Sequence, residues 1–207
     1  MLFSPRYLRR TMLNSILLFV SIIGLWAGSV YVPASVTHLA ADAGYAQRDA
    51  VRLASNATML LSTGTILGCL VLPWLAERLG RRVTLGIFFL LMFVSISVGF
   101  GYVFYLPAGA LRWFIACLFA LGVGGANFAV YTLWLPEQYE TSCRASAFAF
   151  TTAVGRFAGA GVTFLVGAGV AHFQSIGTPV ALTSLAFLVG IVLLPLAIET
   201  KGQPLPE

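Results

Sequence analysis

The chain of 207 residues is 59% hydrophobic and only 9% charged, with a mean hydropathy of +0.92. A soluble domain usually carries about 25% charged residues, so this composition excludes an ordinary water-soluble protein and indicates a helical protein with several membrane spans. The net charge of +5 does not indicate nucleic-acid binding, because basic residues beside membrane spans act as orientation signals and as anchors at the level of the lipid phosphates.

A membrane-crossing helix needs about 20 mostly apolar residues. Six stretches of the chain satisfy this criterion, which predicts an all-α membrane protein with a single domain over residues 1–207. The longest connection, 34–54, is mixed in character, and we expect it to include the first turns of the second helix. In chain order, the predicted spans are 12–32, 56–75, 83–104, 111–135, 145–170 and 179–198.

Lys and Arg residues are distributed unevenly between the two ends of these spans. Eight lie on the side that holds both termini and the loops 75–82 and 136–144, whereas only Arg48, Arg52 and Arg112 lie on the other side. The side richer in Lys and Arg is normally the cytoplasmic one. We therefore expect an integral protein of the plasma (inner) membrane with both termini in the cytoplasm.

Two polar loops concentrate charge in a chain that is otherwise nearly free of it. The loops 75–82 and 136–144 each carry a carboxylate followed by arginine, one loop in each set of three spans. This arrangement predicts a three-plus-three inverted repeat, which is typical of transporters. Ion pairs between the loops are expected to hold a cytoplasmic gate shut and to break on opening; alternatively, the charges only fix the topology. The candidate gate residues are Glu77, Arg78, Gly80, Arg81, Arg82, Glu137 and Arg144.

The first of these loops resembles a motif of the major facilitator superfamily. Residues 73–82 read Pro-Trp-Leu-Ala-Glu-Arg-Leu-Gly-Arg-Arg, and the family motif is Gly-x-Leu-Ala-Asp-Arg-x-Gly-Arg-Arg/Lys. Pro73 takes the place of the first Gly, and Glu77 takes the place of Asp. The resemblance therefore includes the loop's carboxylate, its glycine and its basic ending.

Two further segments resemble the same family, in the order and at the spacing of its carboxyl-terminal half. Residues 136–144 are similar to Glu-x-x-Pro-Thr-x-x-Arg, with Glu140 in place of Pro. Residues 199–202, Glu-Thr-Lys-Gly, resemble the Pro-Glu-Thr-Lys-Gly ending of sugar porters, with Ile198 in place of Pro. The resemblance implies helices seven to twelve of such a transporter, nearest to the metabolite:proton symporter and sugar-porter-like branches.

The resemblance implies one of two six-helix bundles that rock around a central cavity, and hence secondary transport of a small metabolite, most simply an organic anion. The expected partners are the lipid bilayer, a small-molecule substrate, and either an amino-terminal six-helix half or a second copy of the chain. Every Asp and Glu lies at a predicted membrane face, so this chain lacks the intramembrane carboxylate that a proton relay needs. The alternative is a non-transporting fragment or assembly subunit that needs a partner half.

Arg156 is the sharpest candidate for substrate binding. It falls near the middle of the fifth predicted span, where an Arg costs at least about 2.5 kcal/mol, so it should face a cavity or a partner and can capture a substrate carboxylate. Alternatively, the helix starts deeper in the cytoplasm and Arg156 pairs with helix ends. Asn127 and Tyr131, one turn apart, can bind a ligand or bond between helices. Trp26 and Tyr31 can line the cavity or pack.

A membrane-embedded enzyme is the remote alternative. The chain contains no His-Glu-x-x-His, no Gly-x-Ser-x-Gly and no Walker loop. His38 and His172 fall in outer turns, and we expect neither to have a carboxylate or Cys neighbour at metal-ligand spacing. The sequence therefore predicts no catalytic residue, no metal site, no cofactor and no nucleic-acid partner.

Overall fold

The computed structural model describes residues 2–206, and it describes the side chains of this range except those of 25 and 27–29. Within that range the regular structure is entirely helical. The α-helices are α1 (Leu8–Asp42), α2 (Gln47–Leu79), α3 (Arg81–Gly101), α4 (Ala110–Gly125), α5 (Val130–Trp134), α6 (Thr141–Phe173), α7 (Gly177–Leu182) and α8 (Leu185–Leu193). Short 3-10 helices join or extend them at Val103–Tyr105, Ala126–Ala129, Pro136–Gln138 and Leu194–Leu196.

Five helical segments of the described chain are long and apolar enough to cross a membrane, which supports an integral membrane protein. They correspond to the second to sixth predicted spans. The first predicted span, 12–32, lies within α1, and its crossing remains a prediction. The five segments are Gln47–Leu79, Arg81–Tyr105, Ala110–Gln138, Thr141–Phe173 and Gly177–Leu196.

The helices extend well beyond the apolar stretches that predicted them. The connection expected at 34–54 is almost entirely helical, because α1 continues through Pro33 to Asp42 and α2 already begins at Gln47. In the last turns of α1, the Nδ1 atom of His38 lies 2.9 Å from a carboxylate oxygen of Asp42, four residues on. Such a pair supports a helix in water. Polar residues thus end the membrane span without ending the helix.

Helices of the first triplet pack most extensively against helices of the second triplet: α1 on α6, and α2 on α4. Glycines make both contacts close. A Cβ atom added at Gly122 of α4 would overlap the carbonyl oxygen of Leu61 in α2, and Thr65 donates a hydrogen bond of 3.0 Å to the Gly122 carbonyl. This crossed pairing is what two triplets related by a two-fold axis would give, while the inverted repeat itself remains a prediction.

Polar contacts place four segments at one end of the bundle: the start of α1, the α2–α3 turn, the α5–α6 junction and the tail 197–206. We call this the basic end. Lys201 donates to the Arg78 carbonyl at 2.7 Å, Arg144 to the Pro206 carbonyl at 3.0 Å and Arg10 to the Gln138 carbonyl at 3.2 Å. The side predicted to be richer in Lys and Arg is therefore one physical end of the bundle.

Replacing Gly122 with Ala should destabilise the purified chain by about 1–3 kcal/mol, because the new Cβ meets backbone that cannot move aside. Gly161 of α6 is the matched control, since nothing lies within 4 Å of a Cβ added there. Thermal unfolding of both variants in the same detergent measures the difference. Equal unfolding temperatures for Gly122→Ala and Gly161→Ala would contradict the close α2–α4 contact.

Candidate functional site

A glycine and a carboxylate build the turn between α2 and α3 at the basic end. Gly80 has a φ of +92°, which L side chains rarely adopt. The first N–H groups of a helix have no partner within it. Here Glu199 supplies one, since its two carboxylate oxygens accept from the backbone N–H of Arg81 at 2.9 Å and of Arg82 at 3.0 Å. A Cβ at Gly80 would lie 2.7 Å from Glu199 Oε2, so glycine leaves the room that the carboxylate needs.

Glu199 also folds the tail around its own carboxylate. Its Oε1 atom accepts from the backbone N–H of Thr200 at 3.0 Å and of Lys201 at 3.1 Å. Partial burial raises the pKa of this carboxyl, but the four backbone N–H donors lower it more, so that the pKa lies below its ordinary value. A helix N-terminus favours a negative charge. Glu199 is therefore held as an anion that fastens the tail to α3.

Arg81 and Glu137 form a two-pronged ion pair beside this cap. Arg81 Nη2 and Nε donate to Glu137 Oε1 at 2.6 Å and Oε2 at 2.9 Å, and only 15% and 19% of the two side chains are exposed. Arg81 Nη1 also donates to the Ala76 carbonyl at 3.0 Å, and the Thr200 hydroxyl donates to Glu137. Paired, largely covered charges of this geometry give strong hydrogen bonds. The pair joins α2, α3, the 3-10 helix 136–138 and the tail.

Arg82 extends the same network to the end of the last span. Its Nε donates to the Leu194 carbonyl at 3.1 Å and its Nη2 to the Pro195 carbonyl at 2.8 Å, which satisfies carbonyls where the final helical segment ends. Trp134 of α5 donates to the Ile198 carbonyl at 2.9 Å. Trp134 is buried, so it anchors the tail rather than facing lipid.

The structure brings together only part of the predicted gate. Gly80, Arg81, Arg82 and Glu137 meet at the cap, and Arg81 and Glu137 form an ion pair between the two loops. Within the described chain, Arg144 pairs with neither loop's carboxylates and donates to carbonyls of residues 139 and 206 at 3.3 and 3.0 Å. Spacing along the chain shows that both loops are charged but not which arginine reaches Glu137. Arg81 does, because it starts α3 directly beside the α5–α6 junction.

Two predicted gate residues lie outside the network. Glu77 is exposed and makes no hydrogen bond or ion pair with the described residues, and Arg78 is exposed with its guanidinium 4.3 Å from the ring centre of Trp74. Glu199 and Thr200 also belong to the network, although they were predicted only to resemble the ending of sugar porters and had no expected role in a gate. The signal was present, since Glu199 is the first carboxylate after the last apolar stretch.

Most of the candidate substrate-binding residues serve helix packing in this arrangement. Asn127 is buried and donates to the Gly124 carbonyl at 2.8 Å, although its Oδ1 has no hydrogen-bond partner in the described chain. Tyr131 is buried as well and accepts a bond of 3.1 Å from Ser21 in α1. Tyr31 donates to the Thr163 carbonyl of α6 at 3.1 Å, and the half-buried Trp26 lies beside it between α1 and α6.

Arg156 lies apart from these residues, near the middle of α6. It is exposed, and it makes no hydrogen bond or ion pair with any described residue. Its neighbour Phe157 is 85% exposed. Only 17% of the most apolar part of α6 and 22% of that of α2 is buried, compared with 50% in α3. Arg156 therefore belongs to a poorly covered face of the bundle, and the candidates do not surround one cavity.

The expectation that His38 has no carboxylate neighbour at metal-ligand spacing is corrected in one respect. Asp42 pairs with His38 at 2.9 Å on the end of α1 opposite the basic end. Between residues 2 and 206 no group of three or more His, Cys, Asp or Glu residues lies close enough to hold a metal ion.

The fold is similar to that of the xylose transporter XylE from E. coli in its inward-open conformation, with a TM-score of 0.76 and 18% identity over 92% of this chain and 48% of that one. A double-tryptophan mutant of XylE matches with a TM-score of 0.73 and 19% identity, over 94% of this chain and 46% of that one. The chain thus spans about half the length of either structure. At this identity the likeness shows the fold alone.

No protein-family model matches the chain, and no curated protein sequence matches it. The likeness to XylE nevertheless supports the major-facilitator fold that the loop motifs implied. The assignment to the carboxyl-terminal half and to a particular branch remains a prediction.

The Glu199 cap predicts a pH-dependent stability. Because the folded pKa of Glu199 lies below its ordinary value of 4.5, the cap stabilises the fold above that pH, and this contribution is lost as the pH falls through the lowered pKa. The wild-type chain should therefore unfold at a higher temperature than Glu199→Gln at neutral pH, with the gap closing in acid. Thermal unfolding between about pH 7 and pH 3 measures this. Glu77→Gln is the exposed control, and an equal effect there would contradict the assignment.

Proposed function

We propose that the chain is the carboxyl-terminal six-helix half of a major-facilitator-type secondary transporter, which moves a small organic anion across the plasma membrane by alternating access. The observation that carries this proposal is the exposed position of Arg156 in the middle of an apolar helix. The likeness to about half of XylE supports the division into two halves. The eight basic residues on one side support a cytoplasmic basic end and cytoplasmic termini.

The position of Arg156 argues against plain lipid as its surroundings. A charged side chain in the hydrocarbon layer costs at least about 2.5 kcal/mol, and such residues normally face a bundle interior or a water-filled cavity. Arg156 has no partner within the described chain, so its surroundings must come from outside this bundle. A second six-helix half would cover this face of α6, and the central aqueous path between the halves would hydrate the Arg156 guanidinium.

An arginine facing such a path favours an anionic substrate. Its planar guanidinium stays charged at all relevant pH values and can hold a carboxylate through two parallel hydrogen bonds. The second candidate is an uncharged sugar, which the likeness to a xylose transporter favours. In that case Arg156 would pair with a carboxylate of the other half instead of with the substrate.

The network around Glu199 is a suitable inner gate. Glu199, Arg81 and Glu137 tie α3, the α5–α6 junction and the tail together at the basic end through short, directional bonds. Such a set of bonds can be present in one state of a transporter and broken in another. Its alternative role is to fix the topology and hold the end of the last span in every state.

A non-transporting fragment or an assembly subunit is the competing proposal. The poorly covered faces of α2 and α6 favour association of some kind, whether or not transport follows. A second copy of the chain would need a self-complementary surface, since a two-fold dimer brings the same patch together from both partners.

Transport assays on vesicles from the source membranes, with the variants introduced in the source cells so that any second half is present, test the proposal. We expect uptake of one or more labelled carboxylic acids to fall at least about tenfold with Arg156→Gln, because a charge-assisted hydrogen bond is worth about 1.5–3 kcal/mol. Arg112→Gln is the matched control, an exposed arginine at the opposite end of the bundle from the gate. Labelled pentoses and hexoses are assayed in parallel.

Each outcome separates the candidates. Uptake of sugars but not of acids would overturn the anionic substrate and favour the second candidate. A polypeptide of 22.1 kDa in the source membranes, with no uptake of either class, would favour the non-transporting fragment. Equal loss of uptake in Arg156→Gln and Arg112→Gln would contradict a specific role of Arg156 in substrate binding.

A further inference from the structure

A cavity of about 290 Å³ opens at the basic end, and Glu199 is not among its lining residues. The start of α1 forms one wall, Gln138 forms the floor together with Asn14, and the segment 196–198 after the last helical turn forms the opposite wall. None of the residues that line this cavity was predicted to bind a substrate or to form the gate. Three of them are arginines, Arg6, Arg9 and Arg10, which were predicted only to orient the chain in the membrane.

The three guanidinium groups around the cavity are only partly engaged. Arg6 pairs with Glu140 at 2.6 Å, and Arg10 donates to the Gln138 carbonyl at 3.2 Å. Arg9 is exposed and has no hydrogen bond or ion pair within the described chain. Each guanidinium carries five N–H donors, so most of these donors are available to a ligand. One carboxylate against three arginines leaves the cavity with an excess of positive charge.

Two of these arginines, Arg6 and Arg10, pack against a buried aromatic ring. The ring of the buried Tyr7 lies 5.3 Å from the guanidinium of Arg6 and 5.8 Å from that of Arg10, and it packs on Tyr139 with 5.5 Å between ring centres. Cation–π contacts of this length attract a guanidinium to the ring. Arg6 and Arg10 are thus held at the cavity by the fold, and Arg9 lies between them in the sequence.

The floor of the cavity is polar and tightly bonded. The Asn14 amide donates to Gln138 Oε1 at 3.0 Å and to the Tyr139 hydroxyl at 3.4 Å, which also bonds to Thr11 at 3.1 Å. Asn14 and Gln138 are 1% and 3% exposed. These bonds hold the floor together, so the donors for a ligand come from the arginines, which suit an anion with several oxygens. The apolar walls at Leu13 and 196–198 limit water access, which strengthens charge–charge attraction.

We propose that this cavity binds a terminal phosphate group, supplied either by the head group of an anionic phospholipid such as phosphatidic acid or by soluble phosphate. Its volume is near the lower limit of ordinary ligand sites, about 300 Å³, which suits a single phosphate group. It lies at the end of the bundle, at the level where basic pockets between membrane helices meet lipid head groups. The bound group would join the first turn of α1 to the tail that carries Glu199.

The test uses the whole chain in lipid nanodiscs, with the unfolding temperature and the lipids retained in native mass spectrometry as readouts. One arm adds phosphatidic acid to phosphatidylcholine discs. The other adds inorganic phosphate to pure phosphatidylcholine discs, with chloride keeping the ionic strength constant. The variant is Arg9→Gln with Arg10→Gln. Its matched control is Arg48→Gln with Arg52→Gln, which removes two exposed arginines from α2 at the opposite end.

We expect stabilisation of the wild type and of the control, and an apparent Kd that is at least about tenfold weaker in the Arg9/Arg10 variant. Stabilisation by phosphatidic acid alone identifies a lipid head group, and stabilisation by inorganic phosphate identifies a soluble source. Arg9→Gln alone, which removes no contact within the described chain, should weaken binding even if the double variant folds poorly. No stabilisation in either arm, or the same loss in the Arg48/Arg52 control, would overturn the proposal.

Discussion

The basic end of the bundle depends on one interaction, in which the carboxylate of Glu199 caps the first turn of α3. It satisfies two backbone N–H groups that the start of α3 leaves unpaired, and it does so only because Gly80 has no side chain. The tail that follows brings Thr200 to Glu137, and Glu137 holds Arg81. One carboxylate therefore joins the end of the last span to the turn between the second and third helices.

Hydrophobicity predicted five helical segments that are long and apolar enough to cross a membrane, because a span requires about 20 apolar residues. Hydrophobicity did not predict where the helices end, because polar residues can continue a helix beyond its apolar stretch. Helix α1, for example, runs through Pro33 to Asp42. Positions 126–129, where α4 changes to a 3-10 helix around the buried Asn127, were likewise not predicted. Apolar composition predicts which residues lie in the membrane, whereas side-chain hydrogen bonds determine the local path of the chain.

The candidate site was predicted less completely, for a related reason. Charged residues in loops are visible in a sequence, but the partner of each depends on the fold: Glu137 pairs with Arg81, whereas Arg144 bonds only to backbone carbonyls of the described chain. Arg156 was singled out because its charge conflicts with its position in an apolar span. That conflict is not resolved within this bundle, where Tyr131 and Asn127 are buried and Arg156 is exposed. The proposed second half is the physical answer to it.

The central claim is that protein, not lipid, covers the Arg156 face of α6. A photoreactive amino acid placed at Ala153, which is exposed and lies one turn before Arg156 on the same face of α6, tests this directly in native membranes. Val192 of α8, 73% exposed, provides the comparison on another surface. The account predicts adducts of position 153 with peptides of a second six-helix segment, identified by mass spectrometry. Adducts with lipid alone at position 153 would contradict it.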